Sequence, residues 1–294
     1  VRTLNGSADS RVEVLLGQAS GSFADWYAET AAAQPKRLAV GDLDGDGRPD
    51  LVAVEDTNFP RELSLFINNG DGTGFTHATV GGLPVDAVPA DLALADFNAD
   101  GAPDLVLADE GNEELVLLRN DGAGLFTLEG TLPVGADNPQ LVAAADLNDD
   151  GLPEIIVGFA GHGRLEMMAG TGPFTFEAAP DLILPDYEYH EELLIADFDG
   201  DALPDVGVGV SRRLGFVLFH GQRGAGHFLS GAQGYEGQRT YGLGLGDFNT
   251  DGRVDLLIAD HSADHLKLFT GNGGLPLQVD ETVVGLRTGM GRGT

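Results

Sequence analysis

The chain has 294 residues, of which 47 are acidic and only 16 are basic, so its formal net charge is −31. This composition excludes nucleic acid as an expected partner, because phosphate binding needs a basic surface. A hydrophobic content of 42% argues against disorder, and no apolar stretch is long enough for a membrane span. We therefore expect a folded chain without membrane insertion, whose carboxylates face bound cations.

One sequence segment of about fifty residues occurs five times. Each copy has a short apolar run, an acidic loop and a second apolar run, as in LAVGDLDGDGRPDLVAV from Leu38 and LALADFNADGAPDLVLA from Leu92. The loops follow the pattern D-x-[DN]-x-D-[GA]-x-x-[DE], and successive loops begin 54, 50, 51 and 50 residues apart. Their first acids are Asp42, Asp96, Asp146, Asp197 and Asp247. This near-constant spacing indicates a repeat architecture.

Each copy continues with a third apolar run and, after a Gly-rich turn, a fourth. The third runs include LSLFI from Leu63 and LVLL from Leu115, and the turns NNGDGTGF and RNDGAGLF follow them. Gly and Asn between short apolar runs are typical of tight hairpins, and helical periodicity of useful length is absent from the sequence. Four strands per repeat predict an all-β fold, a β-propeller of four-stranded antiparallel blades.

The two ends of the chain predict the number of blades. Residues 1–32 match the later strands of a repeat, and RTGMGRG from Arg287 matches a lead-in and first strand. We expect six blades, one of them shared by the two termini so that no sheet edge stays free, with seven blades as the alternative. The predicted single domain 1–294 divides into repeats 37–86, 91–137, 141–186, 192–240 and 242–285, with 1–32 and 286–294 forming the closing blade.

The acidic loops have the residue spacing of calcium sites. Calcium takes six to eight oxygen ligands, which acids at loop positions 1, 3, 5 and 9 and a carbonyl at position 7 can supply. Because the chain has no Cys and the loops have no His, thiolate and imidazole metals are not expected in them. We predict about five structural Ca²⁺ ions. The predicted ligands, the seventh residue acting through its carbonyl, are Asp42, Asp44, Asp46, Arg48 and Asp50; Asp96, Asn98, Asp100, Ala102 and Asp104; Asp146, Asn148, Asp150, Leu152 and Glu154; Asp197, Asp199, Asp201, Leu203 and Asp205; and Asp247, Asn249, Asp251, Arg253 and Asp255.

Two alternatives to calcium are metal-free Asp/Gly turns and Mg²⁺, which prefers to keep its water. Five loops in register favour a cation, because converging carboxylates repel one another without one. Position 6 is Gly, as a positive φ demands, except in the fourth loop, where Ala202 would strain a left-handed turn and leaves full occupancy open. Position 2 is Leu or Phe, which we expect to point into the core.

The loop, the strand after it and the N-x-G-x-G-x-F-like hairpin resemble the FG-GAP/VCBS repeat, the calcium-binding blade of integrin α-subunit propellers and of many bacterial extracellular proteins. The resemblance covers nearly the whole chain. It implies calcium and an extracellular or cell-surface location, secreted or periplasmic. Two departures stand against integrin-like ligand binding: integrin propellers have seven blades, and the F-G/G-A-P motif itself is degenerate here.

A ligand is expected where the repeats differ, in the turns between second and third strands and in the connections between blades. These segments would lie on the face opposite the calcium loops. Several Arg side chains there would form a positive patch for an anionic sugar or a carboxylate peptide. The candidate residues are His162, Arg164, Tyr187, Tyr189, His190, Arg212, Arg213, Arg239, Tyr241 and His261. The alternative is that they are ordinary polar residues of exposed loops.

The sequence favours a non-enzymatic, calcium-stabilised recognition or adhesion module that binds a protein or carbohydrate. One alternative is a polysaccharide-processing enzyme, a lyase or hydrolase, which uses the same variable face with a Tyr or His base. Another is a structural module of a larger secreted or surface protein. No nucleophile elbow or phosphate-binding loop is present in the sequence to indicate other chemistry.

Overall fold

The computed structural model describes residues 2–4, 11–17, 23–30, 34–56, 63–72, 74–136, 138–184, 190–210, 216–221, 229–235, 240–260, 265–271 and 278–285. Every regular element in these ranges is a β-strand. All neighbouring strands whose register is determined pair antiparallel, as expected from the short apolar runs and Gly-rich turns. Within these ranges no helix is long and apolar enough to span a membrane.

The N-terminal sheet has three strands in the order of the chain. They are β1 (Arg2–Leu4), β2 (Arg11–Gly17) and β3 (Phe23–Thr30). Strand β2 pairs with both of its neighbours.

Five four-stranded sheets follow, and we number them blades one to five in chain order. In each of them the strands lie side by side in their order along the chain. Blades one and two contain β4 (Gln34–Gly41), β5 (Asp50–Asp56), β6 (Leu63–Asn68), β7 (Phe75–Val80), β8 (Pro89–Ala95), β9 (Asp104–Asp109), β10 (Glu114–Asn120) and β11 (Phe126–Pro133). Blades three to five contain β12 (Pro139–Ala145), β13 (Glu154–Phe159), β14 (Arg164–Gly172), β15 (Thr175–Ile183), β16 (His190–Ala196), β17 (Asp205–Val210), β18 (Phe216–His220), β19 (Leu229–Tyr235), β20 (Thr240–Gly246), β21 (Asp255–Asp260), β22 (His265–Thr270) and β23 (Gln278–Gly285).

The all-β propeller class is confirmed, but the predicted count of six or seven four-stranded blades is wrong. The described chain forms five four-stranded blades, and its N-terminal sheet has three strands. The prediction depended on residues 286–294 as a closing strand, and these lie outside the described residues. A match in so Gly-rich a segment is a weak strand signal, because Gly is depleted in strands.

Burial follows strand position within a blade. The second strands β9, β13 and β17 are buried at every residue. The fourth strands β7 and β11 are mostly exposed. This difference explains why the second strands are continuous apolar runs in the sequence, whereas the fourth strands carry polar residues.

The contacts divide the chain into two compact units, residues 1–144 with 170–177 and residues 145–169 with 178–294. The first unit has an aliphatic core that includes Val52 and Leu107 from second strands and Val116 from a third strand. The second unit has one core around Ile156 and Val208, and another that is rich in aromatic side chains. Each acidic loop lies entirely within one unit.

Candidate metal centres in the acidic loops

Each acidic loop connects the first and second strands of a blade, and its backbone turns through two left-handed residues. These are loop positions 4 and 6 in every copy. Gly occupies position 6 in four loops, but Ala202 has a φ of 69° in the fourth. Position 4 is more varied, since Ala99, Asp149 and Thr250 adopt φ values of 60–63° there. The Gly residues at position 6 indicated a left-handed conformation there. The varied residues at position 4 gave no indication that this position is left-handed as well.

The first Asp of each loop organises the turn by accepting backbone hydrogen bonds at both carboxylate oxygens. Its Oδ1 accepts the N–H of position 5 at 3.0–3.1 Å. Its Oδ2 accepts the N–H of position 6 at 2.8–2.9 Å. These acids are Asp42, Asp96, Asp146, Asp197 and Asp247. The loop geometry is therefore the same in all five blades, including the fourth.

Positions 3 and 5 form the rest of the turn. The carboxylate at position 5 accepts the N–H of position 7 in every loop, at 2.8–3.0 Å. The side-chain oxygen at position 3 accepts the N–H of position 5 in four loops. Short Asp and Asn side chains favour such local bonds to the backbone. Each of these oxygens retains lone pairs that a cation can use.

The last acid of each loop, at position 9, is buried, with at most 1% of its surface exposed. One of its oxygens accepts the N–H of position 2 at 2.8–3.0 Å. In four blades the other oxygen accepts an N–H at the end of the third strand, at 2.7–2.9 Å. The residues are Asp50, Asp104, Glu154, Asp205 and Asp255. The acid at position 9 was predicted only as a ligand. In four blades it also joins the loop to the third strand through a hydrogen bond.

Burial changes the acidity of the position 9 side chains. It raises the pKa of Asp104 to about 6, and the charges of Asp100 and Asp96 add to this effect against two backbone hydrogen bonds. It likewise raises the pKa of Glu154 to about 7, with Asp150 and Asp146 contributing. The cause in both is a carboxylate removed from water beside other carboxylates. A cation in the loop would relieve this cost.

The third loop differs because its last acid is Glu. Oε1 of Glu154 accepts a hydrogen bond from Nδ2 of Asn148 at 2.9 Å. This leaves Oδ1 of Asn148 buried and without a hydrogen-bond partner among the described residues. A buried amide oxygen without a partner is costly, so it is a natural position for a ligand atom to a cation.

In loops one and five an Arg at position 7 folds back over the carboxylate at position 5. Arg48 forms an ion pair with Asp46, and Arg253 contacts Oδ2 of Asp251 at 2.8 Å. Both Arg side chains also donate to a backbone carbonyl at the end of the third strand. The carbonyls of these Arg residues were predicted as ligands, but the ion pairs of their side chains were not predicted. The chain therefore supplies part of the positive charge in these two loops.

In the first and fourth loops, carboxylate oxygens have the spacing that a calcium ion requires. One carboxylate oxygen each of Asp42, Asp44 and Asp50 lie within 4.8 Å of one another, as do those of Asp197, Asp199 and Asp201. Calcium–oxygen distances of 2.3–2.6 Å allow ligands on opposite sides of the ion to be about 4.6–5.2 Å apart. Carboxylate and carbonyl oxygens are also the donors that calcium prefers. The residues present therefore fit this ion.

The Leu or Phe at position 2 anchors the loop in four blades. Leu43, Phe97, Leu147 and Phe198 are at most 2% exposed, as expected. Phe248 in the fifth loop is 50% exposed, so the expectation of a core position is wrong there. Its N–H still donates to Asp255 at 2.8 Å, so the fifth loop keeps this hydrogen bond without a buried side chain at position 2.

A buried His near the fourth loop was not among the predicted ligands. His220 ends β18 and is 8% exposed. Its Nδ1 lies 3.4 Å from Oδ1 of Asp205 and 3.9 Å from Oδ2 of Asp199. His220 lies outside the nine-residue loop pattern, from which the ligands were predicted. Comparison of the third-strand ends across the repeats would have found it, since the equivalent residues are FHG in blade four and LRN in blade two.

Among the predicted ligand-binding residues, the structure describes two side chains. His162 is exposed, and its Nδ1 lies 3.0 Å from the carbonyl oxygen of Ala160. Arg164 forms an ion pair with Asp181 and lies 5.9 Å from the ring centre of Phe159. The backbones of His190 and Tyr241 belong to β16 and β20. The remaining candidates, which lie outside the described residues, are Tyr187, Tyr189, Arg212, Arg213, Arg239 and His261. The predicted positive patch thus stays a prediction, and its one described Arg is already paired.

Two solved structures are similar to this fold. The periplasmic gluconolactonase of Pseudomonas aeruginosa aligns with a TM-score of 0.66 at 16% identity, covering 94% of this chain and 77% of that one. A functionally unknown protein from Desulfotomaculum acetoxidans aligns with a TM-score of 0.64 at 14% identity, covering 92% and 78%. At these identities the likeness shows the fold alone. Comparison with curated proteins found no match.

A family comparison identifies the repeat itself. The model of the FG-GAP-like repeat matches residues 3–53, 42–107, 96–157 and 146–208. These matches overlap, extend over more than half of the chain and include the first four acidic loops. The chain belongs to the family of FG-GAP-like repeat proteins.

Proposed function

We propose that this protein is a calcium-stabilised recognition propeller that works outside the cytoplasm. The observation that carries the proposal is the same turn in five blades, in which the first Asp accepts the backbone N–H groups of positions 5 and 6. In the first and fourth loops, three carboxylate oxygens also lie within 4.8 Å of one another. Recurrence of one loop geometry, despite different residues at position 4, favours a shared ligand over five independent turns. The oxygen donors and their spacing suit calcium.

The charge of the second and third loops supports a cation most strongly. Asp96, Asp100 and Asp104 have no ion pair within the described part of the chain. The same holds for Asp146, Asp150 and Glu154 of the third loop. Since converging carboxylates repel one another, such loops need a bound cation or protons to stay compact. Calcium is the ion that oxygen-only loops of this length bind best.

Metal analysis tests the calcium part of the proposal. Protein dialysed against calcium should retain about five Ca²⁺ per chain when measured by plasma mass spectrometry. Asp96→Asn should lower this count by one, because it weakens the organising acid of the second loop. Asp121→Asn should leave it unchanged, since Asp121 lies in a hairpin turn outside the loops. Fewer than three bound Ca²⁺ per chain would refute the proposal.

Recognition of a ligand is the second part. The family resemblance to integrin-type propellers and the periplasmic location named for the gluconolactonase support an extracellular or periplasmic setting. The ligand would be a protein or a carbohydrate that carries carboxylates, bound by the basic and aromatic residues of the variable turns. This part rests on the sequence, because most of those residues lie outside the described structure.

A glycan and peptide array, followed by mutation of the Arg set, tests this second part. Binding of an acidic glycan or peptide should fall at least tenfold in the Arg212→Ala, Arg239→Ala double variant. Arg119→Ala is the matched control, because Arg119 pairs with Glu129 on the sheet of blade two. Unchanged binding in the double variant would remove the variable face from the proposal. Turnover of an acidic polysaccharide, abolished by Tyr189→Phe or His190→Ala, would replace binding with catalysis.

A further inference from the structure

The end of the third strand in blade four places a buried imidazole beside two loop carboxylates. His220 is 8% exposed, and neither of its ring nitrogens has a hydrogen-bond partner among the described residues. Nδ1 points between Asp205 and Asp199, at 3.4 and 3.9 Å from their nearest oxygens. Buried polar groups are nearly always satisfied, so an imidazole left in this way indicates a missing ligand.

His220 is specific to the fourth blade. The strand registers place Ile67, Arg119, Ala169 and Thr270 at the equivalent positions of the other four blades. None of these side chains is an imidazole, a thiol or a carboxylate. The common loop needs no His at this position, because four copies form the same turn without one. The residue therefore adds a feature that the repeat itself does not explain.

The two carboxylates are already oriented toward His220. Oδ1 and Oδ2 of Asp205 accept the N–H groups of Gly221 and Phe198, at 2.9 and 2.8 Å. Oδ1 of Asp199 accepts the N–H of Asp201 at 3.1 Å, which leaves Oδ2 toward the imidazole. Hydrogen bonds of this kind fix the direction of metal ligands. Both carboxylates retain lone pairs for an ion.

Close packing keeps the imidazole at the loop. A Cβ added to Gly221 would lie 2.3 Å from the carbonyl oxygen of Pro204, the eighth residue of the loop. A larger residue at 221 would therefore have to shift the end of β18 away from the loop. One ligand atom from each of Asp199, Asp205 and His220 then lie within 4.8 Å of one another.

The donor set distinguishes this site from the calcium loops. Calcium prefers oxygen, whereas an imidazole with two carboxylates suits zinc and the other late first-row metals. Bonds of 2.0–2.2 Å in a tetrahedral site set ligand atoms about 3.3–3.6 Å apart. The 3.4 Å distance from Nδ1 of His220 to Oδ1 of Asp205 already fits this geometry. The 3.9 Å distance from Nδ1 to Oδ2 of Asp199 needs only a small side-chain rotation.

We propose that Asp199, Asp205 and His220 form a binding site for Zn²⁺ or a similar transition metal ion in blade four, with a fourth coordination position left open. The site shares two acids with the fourth acidic loop, so the ion competes with calcium at that loop alone. It does not depend on calcium in the other loops, because none of them has an equivalent His. The fourth loop would thus be a site of different metal preference within a series of oxygen-only loops.

Calorimetric titration with Zn²⁺ tests the site on the full chain, first stripped with a chelator and then placed in excess Ca²⁺. The wild type should bind one Zn²⁺ per chain with higher affinity than any further ion. His220→Ala should weaken that event at least tenfold. His162→Ala, which removes an exposed His outside the site, should leave it unchanged. Calcium content measured on the same samples keeps this result separate from the calcium proposal.

A second readout covers the possibility that His220→Ala disturbs folding. Co²⁺ in the wild type should give the visible absorption of a low-coordinate, nitrogen-containing site, and His220→Asn, which keeps a buried polar side chain, should abolish it. Circular dichroism confirms that each variant is folded. The proposal is overturned if the wild type takes up no Zn²⁺ in excess Ca²⁺. Equal Zn²⁺ affinity in folded wild type, His220→Ala and His220→Asn would overturn it as well.

Discussion

The last acid of each loop, which we propose as a calcium ligand, already accepts backbone hydrogen bonds with the same carboxylate oxygens. In blade two, Oδ2 of Asp104 accepts the N–H of Phe97, and Oδ1 accepts the N–H of Asn120. The Asn120 side chain adds bonds to the carbonyls of Leu43 and Pro103. Buried amides without acceptors are costly, so this carboxylate stabilises the blade even before any cation binds.

Replacement of this acid tests its structural role. In Asp104→Asn, one side-chain oxygen remains to accept hydrogen bonds where the wild type has two. The NH₂ group, a donor, would then face a backbone N–H that is also a donor. We expect a loss of about 1–3 kcal/mol in the free energy of unfolding, measured by denaturant titration in chelator. Asp121→Asn is the control, because Asp121 uses only Oδ1 to accept the N–H groups of Ala123 and Leu125. Equal effects of the two substitutions would contradict the two-oxygen interpretation.

At the left-handed positions of the loop, the steric cost of a side chain opposes the hydrogen bonds that hold the turn. Gly fits such a position without steric cost, whereas an L-residue with a side chain has to overcome a clash of its Cβ. Ala202 does so with a φ of 69° and is exposed, so its methyl group gains little packing. The first Asp still bonds to its N–H at 2.9 Å, and the turn keeps its shape.

Ala202→Gly should therefore stabilise the chain by about 0.5–1 kcal/mol, the relief of left-handed strain less the extra entropy of an unfolded Gly. Ala102→Gly, at position 7 of the second loop, is the matched control. Ala102 is not among the residues with positive φ, so Gly there should destabilise by about 0.5–1 kcal/mol. In thermal unfolding, we therefore expect a higher melting temperature for Ala202→Gly and a lower one for Ala102→Gly. The same sign for both would show that φ does not control the outcome.

At the scale of elements, blade four combines a smaller residue on its second strand with a larger side chain on its third strand. Its second strand β17 has Gly207 where the registers place Val52, Val106, Ile156 and Leu257 in the other blades. Its third strand begins with Phe216 where the others have Leu. The Phe216 ring packs edge-to-face on Phe198 at 6.0 Å, in the space that a larger side chain at 207 would occupy. Cores tolerate such exchanges when the total volume is kept.

Gly207→Ala should destabilise blade four by about 1–3 kcal/mol, because the added Cβ would lie 2.7 Å from the Phe216 ring. Phe216→Leu in the same chain should recover part of this loss by clearing the space. Gly242→Ala in β20 is the control, since nothing lies within 4 Å of its added Cβ. Denaturant unfolding of the single and double variants measures the coupling. Additive effects would argue against direct contact between these two positions.

At the scale of the whole molecule, net charge links the loops to stability. A formal charge of −31 on 294 residues produces self-repulsion that opposes compaction. Arg48 and Arg253 neutralise one carboxylate each in loops one and five. The second, third and fourth loops have no such Arg, so the proposed cations would offset charge mainly there.

Removal of calcium should lower the melting temperature by at least about 5 °C. Each ion at a concentration one hundred times its Kd contributes about 2.7 kcal/mol of stability, and several sites would lose it together. Scanning calorimetry in chelator, with calcium or magnesium added back, measures the effect. Raised NaCl should recover part of the loss by screening the carboxylates. A melting temperature that is the same with and without calcium would exclude a stabilising role.

The repeat period, the strand order within a repeat and the five acidic loops could all be predicted from the sequence, because short-range patterns dictate them. An apolar run flanked by Gly and Asp becomes a strand whatever lies beside it. Position 1 of each loop was predicted for the same reason, since its bonds reach residues four and five positions away. The number of complete blades could not be predicted in this way, because it depends on which distant segments of the chain pair.

Only the tertiary structure decided how position 9 and the third strand meet. The bond from Asp205 to Gly221 and the approach of His220 join residues that are 15 or more positions apart in sequence. Hydrophobic periodicity reports which face of a strand is buried, but it carries no information on which polar atom lies opposite. The loops and the repeat were thus determined locally by the sequence. The partners of their buried carboxylates, and the imidazole in blade four, were determined by how strands pack within a blade.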